Sequence, residues 1–238
     1  MNIALIGYGK MGKAIEEIAL AKGHLVLFKF DISNQAEFTV NNLQKCDVAI
    51  EFTSPHSAVG NLKKCFDAGV PVICGSTGWL AAWEDIKQYC EAKNGSLVYA
   101  SNYSIGVNLF FELNSYLAKL MNNYKNYDVQ LEEIHHTQKK DAPSGTAITL
   151  AEQVLQHFTS KNNWVNHISD KPEELEIISE RIDPAPGTHK IKYHSAIDDI
   201  EIIHTAHNRM GFAGGAVLAA EFIATKKGIY NMKQVLGL

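Results

Sequence analysis

The segment EIHHTQKKDAPSGTA, residues 133–147, holds two histidines, two lysines and two acidic residues ahead of a Pro-Ser-Gly-Thr run. Histidine gains and loses a proton near neutral pH, and lysine offers a compact cation. His135 and His136 are adjacent, so on a strand they point to opposite faces, one toward a ligand and the other toward a brace or second group. Lys139 follows after a short turn. The run DAPSGTA then opens a helix, with Pro143 at its start and Ser144 or Thr146 able to cap it. Amides of Gly145 and Thr146 at that helix start form an anion site. A lysine, a histidine and such a nest suit a carboxylate or a phosphate. The same residues also suit a solvated polar loop, and the segment alone does not choose. No metal is expected: adjacent histidines have no third ligand at useful spacing, and His204 and His207, three apart on a strand, would face opposite ways.

A second constellation lies at the start. GYGKMG, residues 7–12, places Gly7, Gly9 and Gly12 in GxGxxG spacing directly after the apolar run NIALI and at the opening of a helical pattern. That context makes the spacing a dinucleotide loop. Gly7 allows the tight turn, Gly9 lets backbone approach a pyrophosphate, and Gly12 lets helix and strand pack closely. Tyr8, Lys10 and Met11 complete the loop. Asp31 ends the next strand, where an acidic residue binds the adenosine ribose hydroxyls. Asp31 would repel a 2′-phosphate, which favours NADH, while Lys10 and Lys13 offset it, so NADH or NADPH is expected. Two later strand ends, Gly75, Ser76 and Thr77, then Ser101, Asn102, Tyr103 and Ser104, lie where the nicotinamide half is expected.

These residues need elements to position them. Apolar runs at 2–7, 25–31, 47–53, 70–76 and 96–102 read as strands, with helical spacing at 10–23, 57–69 and 80–95 between them. That alternation predicts a parallel sheet covered on both faces. A helix at 106–122 precedes a change of pattern. Alternating stretches at 127–136, 174–183, 188–196 and 199–208 read as strands of a mixed sheet with one open face, interrupted by a helix at 146–159 and a polar loop at 160–174. An apolar helix with a short tail closes the chain at 211–237. The expected fold is α/β: a Rossmann-type parallel-sheet domain, residues 1–105 and 209–238, plus an α+β substrate domain with an open mixed sheet, residues 106–208.

The bulk numbers set limits. The chain has 238 residues, 46% hydrophobic composition and a net charge of −4, enough for a sizeable core and without the basic excess of a nucleic-acid or anionic-membrane binder. No run of about 18 apolar residues spans a membrane. The stretch MNIALIGYGKMG has no basic flank or cleavage site, so it does not read as a signal peptide. Cys46, Cys65, Cys74 and Cys90 form no CxxC pair and are expected as reduced core thiols in a cytoplasmic protein.

The segment at 133–147 resembles the E-x-H-H-x-x-K-x-D-A-P-S-G-T-A signature of the dihydrodipicolinate reductase family. IGYGKMG, DVAIEFTSP, GSTGW, SNYSIGVN and HNRMGFAGGAV resemble further motifs of that family, in its order, over nearly the whole chain. The resemblance implies NADH- or NADPH-dependent reduction of 4-hydroxy-tetrahydrodipicolinate, a cyclic imine dicarboxylate, with loss of water, in diaminopimelate and lysine biosynthesis. It implies His135 as proton donor and acceptor, Lys139 as proton donor, and His136, Gly145 and Thr146 as contacts to the substrate carboxylates. Gly7–Gly12, Asp31, Gly75–Thr77 and Ser101–Ser104 match cofactor contacts. A homotetramer built through the open sheet is also implied. The chain departs from the pattern at Ser76, where threonine is commoner, and at Thr188, where a Gly-Glu-His run has its glutamate. No arginine follows Asp31, and the chain is short between the second and third strands.

Two other readings start from the same residues. One is a nicotinamide oxidoreductase of aspartate or homoserine dehydrogenase type, which the His-His-Lys and Pro-Ser-Gly-Thr segment disfavours. The other is a non-catalytic dinucleotide-sensing regulator, which needs no proton donor.

Overall fold

The computed structural model describes all 238 residues. Along the chain run β1 (Asn2–Ile6), α1 (Lys10–Ala21), β2 (Leu25–Phe30), α2 (Val40–Leu43), β3 (Val48–Glu51), α3 (Pro55–Ala68), β4 (Val72–Cys74), α4 (Trp83–Ala92) and β5 (Ser96–Tyr99). Then come α5 (Ile105–Met121), β6 (Asp128–His135), α6 (Gly145–His157), β7 (Asn163–Val165), β8 (Glu174–Arg181), β9 (Thr188–His194) and β10 (Asp199–Thr205). The chain closes with α7 (Met210–Ile223), β11 (Gly228–Tyr230) and α8 (Met232–Leu236). No helix is long and apolar enough to cross a membrane.

The chain forms two compact units. Met1–Ile105 with Arg209–Leu238 makes the first, and Gly106–Asn208 the second. In the first unit six parallel strands run in the order β11-β5-β4-β3-β1-β2. β1 is buried on both sides, which is why it reads as an unbroken apolar run. Ala4 and Ile6 enter one core with Leu62, Cys65 and Phe66 of α3 and Ile86 of α4. Ile3 and Leu5 enter another with Ile15 and Ala19 of α1 and the small residues of α7. Strand order reverses at β1, so the crevice at its C-terminal end is the place for a ligand.

The second unit is a mixed five-stranded sheet, β10-β9-β6-β8-β7. β9 pairs antiparallel with β10 and β6, whereas β8 pairs parallel with β6 and β7. β6 alternates half-buried and buried along its whole length. Its buried residues Val129 and Leu131 pack with Leu175, Ile177, Ile191 and Tyr193 under α6 residues Leu150, Ala151 and Val154. The opposite face carries charge, including Lys190–Glu201 at 2.9 Å and Lys192–Asp199 at 2.6 Å.

Two expectations need correction. The polar stretch 160–174 is not wholly loop. Asn163–Val165 adds a short edge strand to β8, and three residues are too few to show a period of two. The tail after α7 is not plain either: Gly228–Tyr230 adds an edge strand beside β5, and Asn231 caps α8. All four cysteines are free and buried, and burial pushes the Cys46 and Cys90 thiols up to about 11.

Candidate active site

Chemistry-bearing residues gather at one place in each unit. In the first, the turn after β1 is held to β2 by the Gly7 amide, which donates to Phe30 O at 2.8 Å. Asp31 therefore stands at the end of β2 beside the glycine turn. It is exposed, and its Oδ1 accepts from the Ile32 amide at 2.8 Å, which keeps the carboxylate in place. α1 has no side-chain cap at Gly9, so its first-turn amides are left for a ligand. At Gly12 a β-carbon would lie 2.4 Å from Gly7 O, so only glycine lets helix and turn close up; at Gly9 a β-carbon would meet open space. A cleft of about 440 Å³ opens there, lined by Gly9–Gly12, Phe52–Pro55 and Gly75–Thr77. Capless amides, open space over Gly9 and a strand-end carboxylate fit a dinucleotide.

Phe52–Pro55 were not singled out from the sequence as site residues, although they follow β3 as Gly75–Thr77 follow β4, and the same strand-end rule applies. Ser76 is buried, and its hydroxyl accepts from the Thr53 amide at 2.7 Å, joining the two turns. Behind them Glu51, fully buried, accepts from Cys74 Sγ at 3.1 Å and from the Thr53 hydroxyl. The Tyr8 hydroxyl is taken up by Glu16 of α1. Tyr103 does not present its side chain as a contact group. It is buried, and its hydroxyl reaches Cys74 O and Val98 O, each at 2.9 Å, with its ring 5.7 Å from that of Phe52. An aromatic next to a strand end is ambiguous in sequence; here the sheet's core claims it. Ser104 is buried too, Ser101 is exposed, and Asn102 is half-buried with Oδ1 accepting from the Ser104 amide.

In the second unit, the period of two puts Glu133 and His135 on the buried face of β6. Glu133 is fully buried, and its Oε1 accepts from the Ser144 amide (3.0 Å), Ser179 Oγ (2.8 Å) and Arg181 Nη2 (3.1 Å). Its Oε2 lies 3.1 Å from His135 Nδ1 and 3.8 Å from His189 Nε2. Burial alone would raise this carboxyl, but the adjacent His135 ring and the bonds from Ser144, Ser179 and Arg181 win and hold it well below the usual carboxylate range. His189 bonds Ser144 Oγ at 3.2 Å and sets its ring edge-on to His135, centroids 5.1 Å apart. Burial, reinforced by His135, pushes His189 down to about 3, so it is neutral at physiological pH.

Ser144 caps α6, accepting from the Ala147 amide at 3.2 Å, and Gly145 and Thr146 form the first turn. His136 is half-buried just past the end of β6, and its carbonyl accepts the Lys139 amide at 3.1 Å, closing the turn. Lys139 Nζ lies 2.9 Å from Asp141 Oδ2. That carboxyl is lowered: burial, the largest single influence, would raise it, but the Lys139 bond, the attraction of the Lys139 charge and a bond from the residue's own backbone together prevail. Glu133, Ser179, Arg181, Asp141 and His189 carry this arrangement without having been assigned roles from sequence, and Ser144, expected there only as a cap, also bonds Glu133 and His189. The signal for Glu133 was its i, i+2 relation to His135. The metal argument also changes, because the fold supplies a third group. Glu133, His135 and His189 bring ligand-type atoms within 4.8 Å of one another. The Arg181 guanidinium on Glu133 makes that cluster a charge-compensated network rather than an anionic cage.

A histidine beside a buried carboxylate, a lysine and a capped helix start in one unit, and a glycine-turn crevice in the other, agree with what comparison with known proteins finds. The family profile described as "Dihydrodipicolinate reductase, N-terminus" matches residues 1–103, and that described as "Dihydrodipicolinate reductase, C-terminus" matches 106–236. The chain belongs to the dihydrodipicolinate reductase family. A relative from Christiangramia forsetii named 4-hydroxy-tetrahydrodipicolinate reductase is 47% identical over 99% of this chain and 98% of its own. One of the same name from Methanosarcina barkeri is 35% identical over the full length of both. Among solved structures, the dipicolinate-bound dihydrodipicolinate reductase from Paenisporosarcina sp. TG-14 aligns with a TM-score of 0.79 at 22% identity, covering 97% of each chain. An aspartate dehydrogenase from Thermotoga maritima reaches a TM-score of 0.53 at 15% identity over 93% of this chain and 95% of its own, a likeness of fold alone. The family's reductant is NADH or NADPH, and the dinucleotide-binding half is present here.

Proposed function

We propose that this protein reduces 4-hydroxy-tetrahydrodipicolinate to tetrahydrodipicolinate with loss of water, in the diaminopimelate and lysine pathway. The observation that carries the reading is that one buried carboxylate, Glu133, faces His135 and holds the start of α6, so a proton handler and an anion-binding helix end share one support. The name of the 47% identical relative supports the same reaction.

The first unit binds the dinucleotide through Gly7–Gly12, Asp31 and Gly75–Thr77; when bound, its reduced nicotinamide supplies the hydride. The second unit takes the dicarboxylate. Gly145 and Thr146 at the start of α6 receive one carboxylate, helped by the helix dipole, and His136 and Lys139 fix the pose. His135 and Lys139 deliver protons to the leaving hydroxyl and to the ring atom that gains electron density. In this structure Lys139 is held by Asp141, and an arriving carboxylate competes for the same ammonium.

Assembly as a homotetramer through the open sheet face is supported by Ile203, 56% exposed there beside the Lys190–Glu201 pair. Buried thiols without disulfides support a cytoplasmic setting. Initial rates with NADH and NADPH side by side on freshly generated substrate test the reaction and the cofactor together. Substrate-dependent oxidation of either is expected; tight dinucleotide binding without turnover overturns the reading.

A further inference from the structure

We propose that Glu133 is the positioning residue for His135, fixing its ring so that Nδ1 is turned inward and Nε2 is the nitrogen that exchanges the proton. This rests on the reaction proposed above. Both Glu133 Oε2 and His135 Nδ1 are sealed from solvent, and at 3.1 Å they have the distance but not the alignment of a formed hydrogen bond. A buried carboxylate oxygen without a donor is costly, and a small rotation of the imidazole supplies one. The Nδ1 proton is then committed to Glu133, which selects the tautomer and stabilises the imidazolium.

The other ring nitrogen is kept clear. A β-carbon at residue 187 would lie 3.0 Å from His135 Nε2, and Gly187 has φ +155°, so glycine at this position spares both the space and the strain. Charged and titratable neighbours come from every packed element: Arg181 from β8, His189 from β9, His204 from β10, and the Lys139–Asp141 pair from the loop before α6. His189 is neutral and braces the ring edge-on, so Arg181 and Glu133 set the local field. Because Glu133 Oε1 also holds the Ser144 amide, the same carboxylate keeps His135 in register with Gly145 and Thr146. In the transfer, the Nε2–H bond breaks as the proton joins the substrate atom that received electrons. The imidazole returns to neutral with Nδ1–H still on Glu133, and solvent reprotonates Nε2.

Glu133→Gln in the full-length protein keeps the volume and removes the charge. We expect kcat to fall about 10- to 100-fold with KM for the dicarboxylate little changed. In a His135→Ala background the same substitution costs nothing further in kcat, since its effect passes through the missing ring. Long-range ¹H–¹⁵N spectra of the histidine rings read the geometry without turnover: His135 as the Nδ1–H tautomer in the wild type, and no longer fixed in Glu133→Gln. If Glu133→Gln does not fold, Gly187→Ala serves instead, with kcat falling while the Nδ1–H tautomer persists. An Nε2–H tautomer in the wild type, or a Glu133→Gln penalty undiminished by His135→Ala, overturns the proposal. A wild type that leaves the dicarboxylate unreduced refutes the reaction instead, and the spectra then decide Glu133 by themselves.

Discussion

Replacing Tyr103 with phenylalanine separates a core role from a cofactor role. Its hydroxyl is buried and meets Cys74 O and Val98 O, each at 2.9 Å. The substitution removes that donor from two carbonyls, one at the end of β4 and one within β5. Cys74 O still accepts from the Ala100 amide at 3.5 Å, so it is only partly orphaned. The expected cost is therefore about 1–2 kcal/mol, toward the low end for leaving a buried polar group unsatisfied. In a chain this long, each kcal/mol moves Tm by roughly 2–4 °C, so the variant should melt about 2–8 °C lower. Calorimetry reads Tm, and fluorescence titration reads the Kd for NADH. The Phe52–Tyr103 ring contact survives, so Kd should stay within about twofold of wild type, a change of under ~0.5 kcal/mol. A Kd weakened about tenfold with unchanged Tm would mean that the hydroxyl serves the cofactor, and the reasoning fails.

Acid should destabilise the second unit by a route that can be traced. His189 is held at about 3 against an ordinary 6.5, so below 6.5 the unfolded chain binds a proton that the folded one refuses, and stability falls as pH drops toward 3. Glu133, also depressed, adds a loss in the same direction below about 4.5. Urea midpoints from pH 7 to 4 should decline less steeply in His189→Gln, and parallel declines would rule this out. His135→Ala and Lys139→Ala should each cut kcat by roughly 10²–10⁴ while NADH binding persists, whereas His136→Ala should mainly raise KM. Wild-type rates in the first two would sink the proton-transfer roles. Asp31→Ser keeps a capping oxygen for Ile32 but removes a charge that a 2′-phosphate would meet. The NADPH to NADH ratio of kcat/KM should rise about tenfold, equivalent to ~1–2 kcal/mol of relieved repulsion. An unchanged ratio would place that phosphate away from Asp31.

Much of this protein was legible in the order of its residues, because local geometry is written locally. Alternating strands and helices, the glycine loop opening α1, Asp31 one strand later and the cap at Ser144 all depend on neighbours within a few positions, where periodicity and turn chemistry act. Short edge strands β7 and β11 escaped, since three residues carry no period and owe their pairing to β8 and β5. Tyr103 illustrates the other limit: its position after β5 suits a cofactor contact, yet two carbonyls from separate strands draw the hydroxyl inward. The support under His135 was the least legible part. Ser144, Ser179 and Arg181 lie between 11 and 48 positions from the carboxylate they surround, and His189, farther still along the chain, is placed opposite Glu133 by the register of β6 and β9. No spacing rule links such residues. The sequence alone set where the residues able to exchange protons and meet anions lie along the chain; the central place of β6 in a mixed sheet decided which buried charge they gather around, because only strand pairing brings distant side chains onto one dry face.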